Sequence, residues 1–386
     1  RIGDIMTINQ KRLVETFVEL AKIDSESFFE KDIQEVLVSK LKDLGCKVQV
    51  DNAGKKYNTT AQGNVIGFFP GTIKSAPIVL SSHMDTVVPG KGVKPVVKKD
   101  KITSDGTTVL GADDKAGIAI ILEVLKTLQE QKLPHPPVEA VFTLTEENGM
   151  AGAKNLDVKK IKGREGLILD NEEVNELLVQ GPAVNTIEVK IKGLGAHAGV
   201  CPEKGISAIE VAAYALSVMK LGRIDKETVA NFGIIKGGSL TNAVTEDIYL
   251  KGEARSLQDG KLEKQTAHMK SCFEKAIKRY TKKINGKVHK PVLTFTVTPR
   301  YPAVNVPKTH PMVKAILAAG KAQGVKISPV ASGGGCDANI LSGKGFILPN
   351  LGVGCRDCHT VKESLLLKEF FAACEIALSA VLAYKK

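Results

Sequence analysis

In the first part of the chain, short apolar runs at 64–69, 77–82, 138–145 and 166–169 alternate with stretches whose apolar residues recur at helical spacing. Leu13, Phe17, Val18, Leu20 and Ala21 form one such stretch. Ile33, Val36, Leu37, Leu41 and Leu44 form another, which stops at Gly45, a residue suited to capping a helix. A third helix is predicted over 116–128, between the second and third apolar runs. Uninterrupted apolar runs of this length fit strands buried on both faces, as in a parallel sheet covered by helices. The pattern therefore confines the chain to an α/β architecture with a largely parallel sheet.

From about residue 181 the pattern changes. Residues 186–191 alternate like a strand with one wet face, 206–221 have helical spacing, and 231–235 and 247–253 read as strands. A charged helix over 257–282 precedes a strand at 291–298, in which Val292, Thr294, Thr296 and Thr298 face one way. The order β-α-β-β-α-β is the split motif of ferredoxin-like domains. After Pro302 the α/β pattern resumes, with a helix over 311–323, a strand over 346–349 and a last helix from 362. The predicted fold is thus an α/β domain built from residues 1–181 and 302–386, interrupted by an inserted ferredoxin-like domain at 182–301.

Composition closes off several classes. The 386 residues are 43% hydrophobic and 25% charged, the balance of a soluble globular protein. The most apolar stretch, 365–384, carries Lys368, Glu369 and Glu375, which a bilayer-spanning helix rarely tolerates, so no membrane span is expected. Residues 1–8 lack the apolar core of a secretory signal, and Met6 reads as a natural start with Arg1–Ile5 appended. Seven cysteines scattered from Cys46 to Cys374 do not form a disulfide framework, which leads us to expect a reducing cytoplasm. With 54 Lys+Arg against 42 Asp+Glu the net charge is +12. No nucleic-acid partner is expected from it, because aromatic content is 5%, Trp is absent, and the Lys-rich stretches at 91–101 and 278–290 lack interleaved stacking residues.

Several apolar runs lead into residues able to do chemistry. Ser81-Ser82-His83-Met84-Asp85-Thr86 follows the second run, and in extended chain Asp85 faces the same way as His83 and can orient its imidazole. Gly111-Ala112-Asp113-Asp114-Lys115 opens a helix; its acids read either as N-terminal caps or, for Asp113, as a carboxylate with two oxygens free to bridge two cations. Thr145-Glu146-Glu147-Asn148-Gly149 ends the third run. Two adjacent acids repel unless cations lie between them, in which case one is a ligand and the other a general base. Asp170 ends the fourth run, and His359 lies shortly before the last helix. Ligands of open α/β sheets bind outside the carboxyl ends of the strands, so these segments meet on one rim. Cys355-Arg356-Asp357-Cys358-His359 has the spacing of a haem-attachment motif, but nothing else in the chain fits export, and a structural zinc site would need a second cysteine pair that Cys336 alone cannot supply.

His83-x-Asp85, Gly-Ala-Asp113-Asp114-Lys115, Glu146-Glu147-Asn-Gly, Asp170 and His359, in this order around an insertion, resemble the co-catalytic zinc metallopeptidases, which include peptidase T, carboxypeptidases and acylamino-acid deacylases. The likeness spans the chain, and the segment Gly111 to Ala119 together with Asp at position 170 is most similar to the peptidase T branch of aminotripeptidases. The resemblance implies that Asp113 bridges two metals, with His83 and Asp170 completing one and Glu147 and His359 the other. It implies that Glu146 takes a proton from the bridging water, that Asp85 orients His83, and that the peptide after Asp113 is cis. Imidazole and carboxylate donors suit zinc, with cobalt or manganese as alternatives.

The same resemblance gives the inserted domain a lid and dimerisation role and makes a homodimer the expected assembly. His197, in Gly193-Leu-Gly-Ala-His-Ala-Gly199, matches the residue that stabilises the tetrahedral oxyanion, often from a partner subunit. Asn242 and Arg255 match positions that hold the substrate backbone and its terminal carboxylate, for which a guanidinium is geometrically suited. Ser332-Gly-Gly334-Gly-Cys336-Asp337 is similar to a Gly-rich substrate loop, with Cys336 where relatives commonly carry Thr or Ser, and so places Gly334 and Asp337 among the substrate contacts. The activity implied is release of the N-terminal residue of short peptides, with tripeptides the expected length. An N-acyl amino acid deacylase or a dipeptidase with the same metal chemistry is the alternative, and a non-catalytic metal-binding or nucleic-acid-binding protein is disfavoured by the intact Glu146.

Overall fold

A computed structural model describes residues 7–384, so the reading of Met6 and Arg1–Ile5 as start and appended segment lies outside the described residues. The chain divides into two compact units, one comprising residues 1–180, 305–332 and 336–386 and the other 181–304 with 333–335.

The larger unit is built on a nine-stranded sheet in which Lys47–Val50, Val65–Phe69, Val138–Thr143, Ile78–His83, Glu165–Asn171, Asn350–Gly352 and Glu176–Gly181 lie side by side in that order. The four central neighbours from Val138–Thr143 to Asn350–Gly352 are parallel; the strands next to them on either side pair antiparallel, and Ser328–Ala331 adds a further parallel pair on Glu176–Gly181. The sheet is therefore mixed rather than largely parallel. Short connections such as the one from Asn171 to Glu176 reverse the chain and cannot carry the long crossover that a parallel pair needs.

Helix Ala112–Glu130 covers the parallel centre with a nearly continuous buried surface. Gly117 is what permits the close approach: a Cβ there would lie 2.1 Å from the Leu169 carbonyl oxygen. Helices Gln10–Ala21 and Leu367–Ala383 pack on this helix, joined by an edge-to-face pair of Phe17 and Phe370 with centroids 5.9 Å apart. Arg12 clamps the first helix to it, donating from Nε and Nη2 to the two oxygens of buried Glu123 at 2.7 and 2.8 Å.

Two C-terminal boundaries differ from expectation. The strand forms at Asn350–Gly352 instead of 346–349, because Pro349 has no N–H for a two-sided ladder and lends only its carbonyl oxygen, to Ile168 N–H; before it Ile347 makes an isolated bridge, donating to the Arg164 carbonyl and accepting from Gly166 N–H. The last helix begins at Leu367, since Ser364–Leu366 is first drawn into a small sheet with Lys101–Thr103 and Cys355–Arg356.

In the smaller unit an antiparallel sheet runs Thr228–Gly237, Asp247–Ser256, Ala183–Lys192, Val292–Tyr301. Numbered along the chain this order is 2-3-1-4, and helices Ala208–Ser217 and Asp259–Arg279 complete the β-α-β-β-α-β succession. Its core includes Ile187, Val189, Leu250, Met269 and Phe273, all essentially inaccessible. Among the described residues no helix is long and apolar enough to cross a membrane.

Candidate metal centre

In the larger unit, the parallel register brings three strand ends together. His83 pairs with Thr143, and Ser81 with Ile168, so His83, the Thr145–Glu147 turn and Asp170 share one rim. Asp113 joins them from the turn before helix Ala112–Glu130. That turn is made possible by Gly111, whose φ of 74° few other residues adopt. Asp113 and Asp114 are themselves non-helical, with ψ of 100° and 32°, and the peptide between them is cis. His359 arrives from the loop before the last helix, where it and Asp357 hold φ values of 64° and 53°. Non-glycine residues in that region persist where their surroundings fix them, and they concentrate at functional sites.

Asp113 stands at the middle. Its Oδ1 lies 3.0 Å from His83 Nε2, and its Oδ2 lies 3.1 Å from His359 Nε2. His83 Nε2 also faces Asp170 Oδ1 at 3.6 Å, and His359 Nε2 faces Glu147 Oε1 at 2.9 Å. Five of the side chains singled out in the sequence as ligands are thus within reach of one another, arranged as two sets that share Asp113. Asp114 forms a further possible set with His83 and Asp170. Donor separations of this size match the edges of a coordination polyhedron with bonds of about 2.0–2.2 Å, whose tetrahedral edge is about 3.4 Å.

The residues behind this cluster fix its orientation. His83 Nδ1 donates to the backbone carbonyl of Asp85 at 3.0 Å, which leaves Nε2 unprotonated and facing Asp113 and Asp170 in the neutral ring. The Asp85 carboxylate is close to the same nitrogen, at 3.3 Å, yet its own bonds go elsewhere. It accepts from the backbone N–H of Glu146 at 2.8 Å, from that of Glu147 at 3.2 Å, and from Ser27 Oγ at 2.6 Å. Asp85 therefore ties His83 to the Glu146–Glu147 turn. Asp114 is both the cap it was read as, accepting from Gly117 N–H, and a lock on the neighbouring strand through Ser82 Oγ at 2.5 Å and His83 N–H at 3.2 Å. Asn350 brackets the backbone of Asp170, accepting its N–H and donating to its carbonyl, each at 2.9 Å.

Charge explains why this cluster wants cations. Burial works against the imidazolium form of His83, but Asp113, Asp170 and Asp85 together outweigh it and raise the ring well above its ordinary value. Asp113 and Glu147 lift His359 to about 11. For Asp113, burial pushes upward, but the two imidazoles prevail and hold it below the usual carboxylate range. Asp170 is raised to about 6 and Glu146 well above its ordinary value, in both cases chiefly by burial. The carboxylates thus demand positive charge at both imidazoles, a demand that divalent ions meet by displacing those protons. The donor set fits the metal pair that the family resemblance implies.

Other expected site residues lie in the smaller unit. His197 is exposed and sits beside Asn242, whose carbonyl accepts the Ala198 N–H at 2.9 Å. Arg255 makes a two-pronged ion pair with Glu253, at 2.7 and 3.2 Å, and donates from Nη1 to the Gly333 carbonyl next to exposed Gly334. Asp337, in contrast, belongs to the larger unit. It is 3% exposed; its Oδ2 accepts from Thr143 Oγ1 at 2.5 Å, at a strand end, while its buried Oδ1 has no hydrogen-bond partner among the described residues. Cys355 and Cys358 are free thiols with sulfurs 3.0 Å apart, next to His359 in the chain, and among the described residues neither belongs to a candidate metal-donor set.

Fold and site together define a metal-dependent hydrolase in which a site-bearing α/β unit is interrupted by an inserted α+β unit. The chain belongs to peptidase family M20/M25/M40, whose profile matches residues 79–383, and it is a metallopeptidase of that family. It is 40% identical over 375 residues to the uncharacterized protein YqjE of Bacillus subtilis strain 168, covering 97% of this chain and 98% of the relative. Peptidase T of Alkaliphilus oremlandii is 26% identical over 427 residues, covering 97% and 100%. Among solved structures, aminopeptidase PepT of Bacillus cereus ATCC 10987 superposes with a TM-score of 0.92 at 41% identity, covering 98% of this chain and 99% of that one. A tripeptidase of Staphylococcus aureus Mu50 gives 0.90 at 38% identity, with the same coverage. The kinship with peptidase T read from the sequence is borne out in these relatives.

Proposed function

We propose that this chain is an aminopeptidase that removes the N-terminal residue of tripeptides with the help of two divalent metal ions, zinc in the first instance. The observation that carries the reading is Asp113, with one oxygen toward His83 and the other toward His359. His83 and Asp170 would hold one ion, Glu147 and His359 the other, and Asp113 both. Bound there, the ions supply the positive charge that polarises a scissile carbonyl and makes water acidic at neutral pH.

The protein's own groups do the rest. Glu146 accepts the proton of the attacking water and passes it to the leaving amine. Burial raises this carboxyl well above its ordinary range, which makes it a stronger proton acceptor than an exposed glutamate. Asp85 keeps the Glu146 backbone in place while holding the His83 tautomer. In the smaller unit, which we propose as a lid and dimerisation domain, His197 stabilises the oxyanion, Asn242 and the backbone at Gly334 hold the peptide, and Arg255, steadied by Glu253, binds its terminal carboxylate. Exposed apolar side chains of that unit, Ile235 at 58% and Val292 at 60%, support a homodimer. Seven unpaired cysteines support a reducing cytoplasm.

The test is a panel of tripeptides, dipeptides and N-acetylated tripeptides incubated with the protein before and after chelation. Free-amine tripeptides should be cleaved, chelation should abolish cleavage, and zinc, cobalt or manganese should restore it. Turnover of the acetylated compounds alone would instead identify a deacylase. Glu146→Ala should retain metal and lose about 10²–10⁴-fold in kcat; full activity in that variant would move the base elsewhere.

A further inference from the structure

Glu363 is absent from the ligand set, yet it is the residue most directly joined to the turn that carries Asp113. It is 2% exposed. Its Oε2 accepts the backbone N–H groups of Leu110 at 2.7 Å and Gly111 at 2.8 Å, and its Oε1 accepts the N–H of Asp113 itself at 2.9 Å. Three convergent donors leave no place for a donor on the side chain that meets them. A carboxylate, acceptor on both oxygens, satisfies all three, whereas a carboxamide would turn an NH₂ group against either the Asp113 N–H or the Leu110 and Gly111 pair.

Glu363 also stands four residues after His359 in the same loop. Its own N–H is bonded to the Thr360 carbonyl at 3.1 Å, and Thr360 Oγ1 donates to the Asp357 carbonyl at 2.8 Å. One short segment thus bears His359 at one end and, at the other, the group that grips the backbone of Asp113. The two side chains that meet at 3.1 Å are held in register from behind by a second, independent connection between the same two loops.

We infer that Glu363 is a positioning residue for metal binding: it locks the Leu110–Asp113 turn so that Asp113 presents one oxygen to each imidazole. The inference rests on the reading of Asp113 and His359 as metal ligands. A purely structural role for a buried carboxylate has a control within the same unit. Glu139, 1% exposed near the start of strand Val138–Thr143, accepts the N–H groups of Lys162 and Gly163 on both oxygens, at the end of the sheet opposite the cluster.

The experiment titrates metal-free, full-length protein with zinc in competition with a chromophoric chelator, counts bound ions by native mass spectrometry, and records Tm alongside. Glu363→Gln and Glu363→Asp should each weaken at least one ion about 10–100-fold, the range found when partners of metal ligands are removed. Glu139→Gln should lower Tm while its zinc isotherm stays within about twofold of wild type. Glu363 variants that lose only Tm, with wild-type zinc affinity, overturn the inference; should Glu363→Gln not fold, Glu363→Asp decides alone. Asp113→Asn is the separate arm: wild-type affinity in that variant overturns the ligand assignment itself, a result distinguishable from failure of the clamp.

Discussion

Buried acids ring the cluster one layer out, and each steadies a different piece of it. Glu30 accepts from Thr145 Oγ1 at 2.5 Å, Asp337 from Thr143, Asp114 from Ser82, and Glu363 from the Asp113 turn. Glu30 offers a test of what such burial costs. Burial first, and then the nearby charge of Asp85, lift it from an ordinary value of 4.5 to about 7, although the Thr145 bond pulls the other way. Between those values the native protein keeps a proton that the unfolded chain has released. This group's contribution is thus fully present below pH 4.5 and is lost as pH rises through about 7. In thermal melts of metal-free protein, Glu30→Gln should remove part of the wild type's loss of Tm between about pH 5 and about pH 8; an unchanged difference would refute it. Of the candidate ligands, His83, Glu147 and Asp170 were conspicuous in the sequence because they follow apolar strands closely, whereas Asp113 and His359 gained their proposed roles from the family resemblance. The supports of these ligands were not legible there: Glu30, Asp337 and Glu363 find their partners 115, 194 and 250 residues away, a pairing that exists only in the folded chain.

Among the elements, helix Ala112–Glu130 bears most directly on the site, since its first turn carries Asp113 and its body lies on the strand that ends near Asp170. The fit is tight at Gly117, where a Cβ would meet the Leu169 carbonyl oxygen at 2.1 Å, Asp114 Oδ1 at 2.6 Å and Ser82 Oγ at 2.9 Å. Gly117→Ala should destabilise the protein by about 1–3 kcal/mol, the usual consequence of overpacking, measured by urea unfolding. It should also weaken zinc binding, because the displaced atoms belong to the groups that hold His83 and Asp170; a variant as stable as wild type would show that helix and strand have room to separate. Periodicity disclosed the central strands and this helix because each is buried along its whole length. It missed the short Ser364–Leu366 strand and the antiparallel flanks, which depend on neighbours and connection lengths rather than on any run of residues.

For the whole molecule, the return of the α/β pattern after Pro302 disclosed that one unit is inserted in the other. The grouping of residues 333–335 with the inserted unit had no such signature, since three glycines carry no pattern. Among the described residues, strand Val292–Tyr301 of the inserted unit is paired on one side only, and Val292 and Val297 are exposed along it. An open apolar edge is a template for pairing with another chain. Light scattering coupled to gel filtration should therefore find a dimer, and Val292→Asp combined with Val297→Asp should give a monomer with unchanged far-UV circular dichroism. A wild-type monomer at micromolar concentration would rule the dimer out.

The loop that bears His359 and Glu363 also sets an order in time. Asp113 and His359 are 246 residues apart, and between them lies the whole inserted unit. A chain emerging from the ribosome has made His83, Asp113, Glu146, Glu147 and Asp170 long before it has the second imidazole or the acid that grips the Asp113 turn. On the proposed ligand assignment, the site therefore stays incomplete until residue 363 is made.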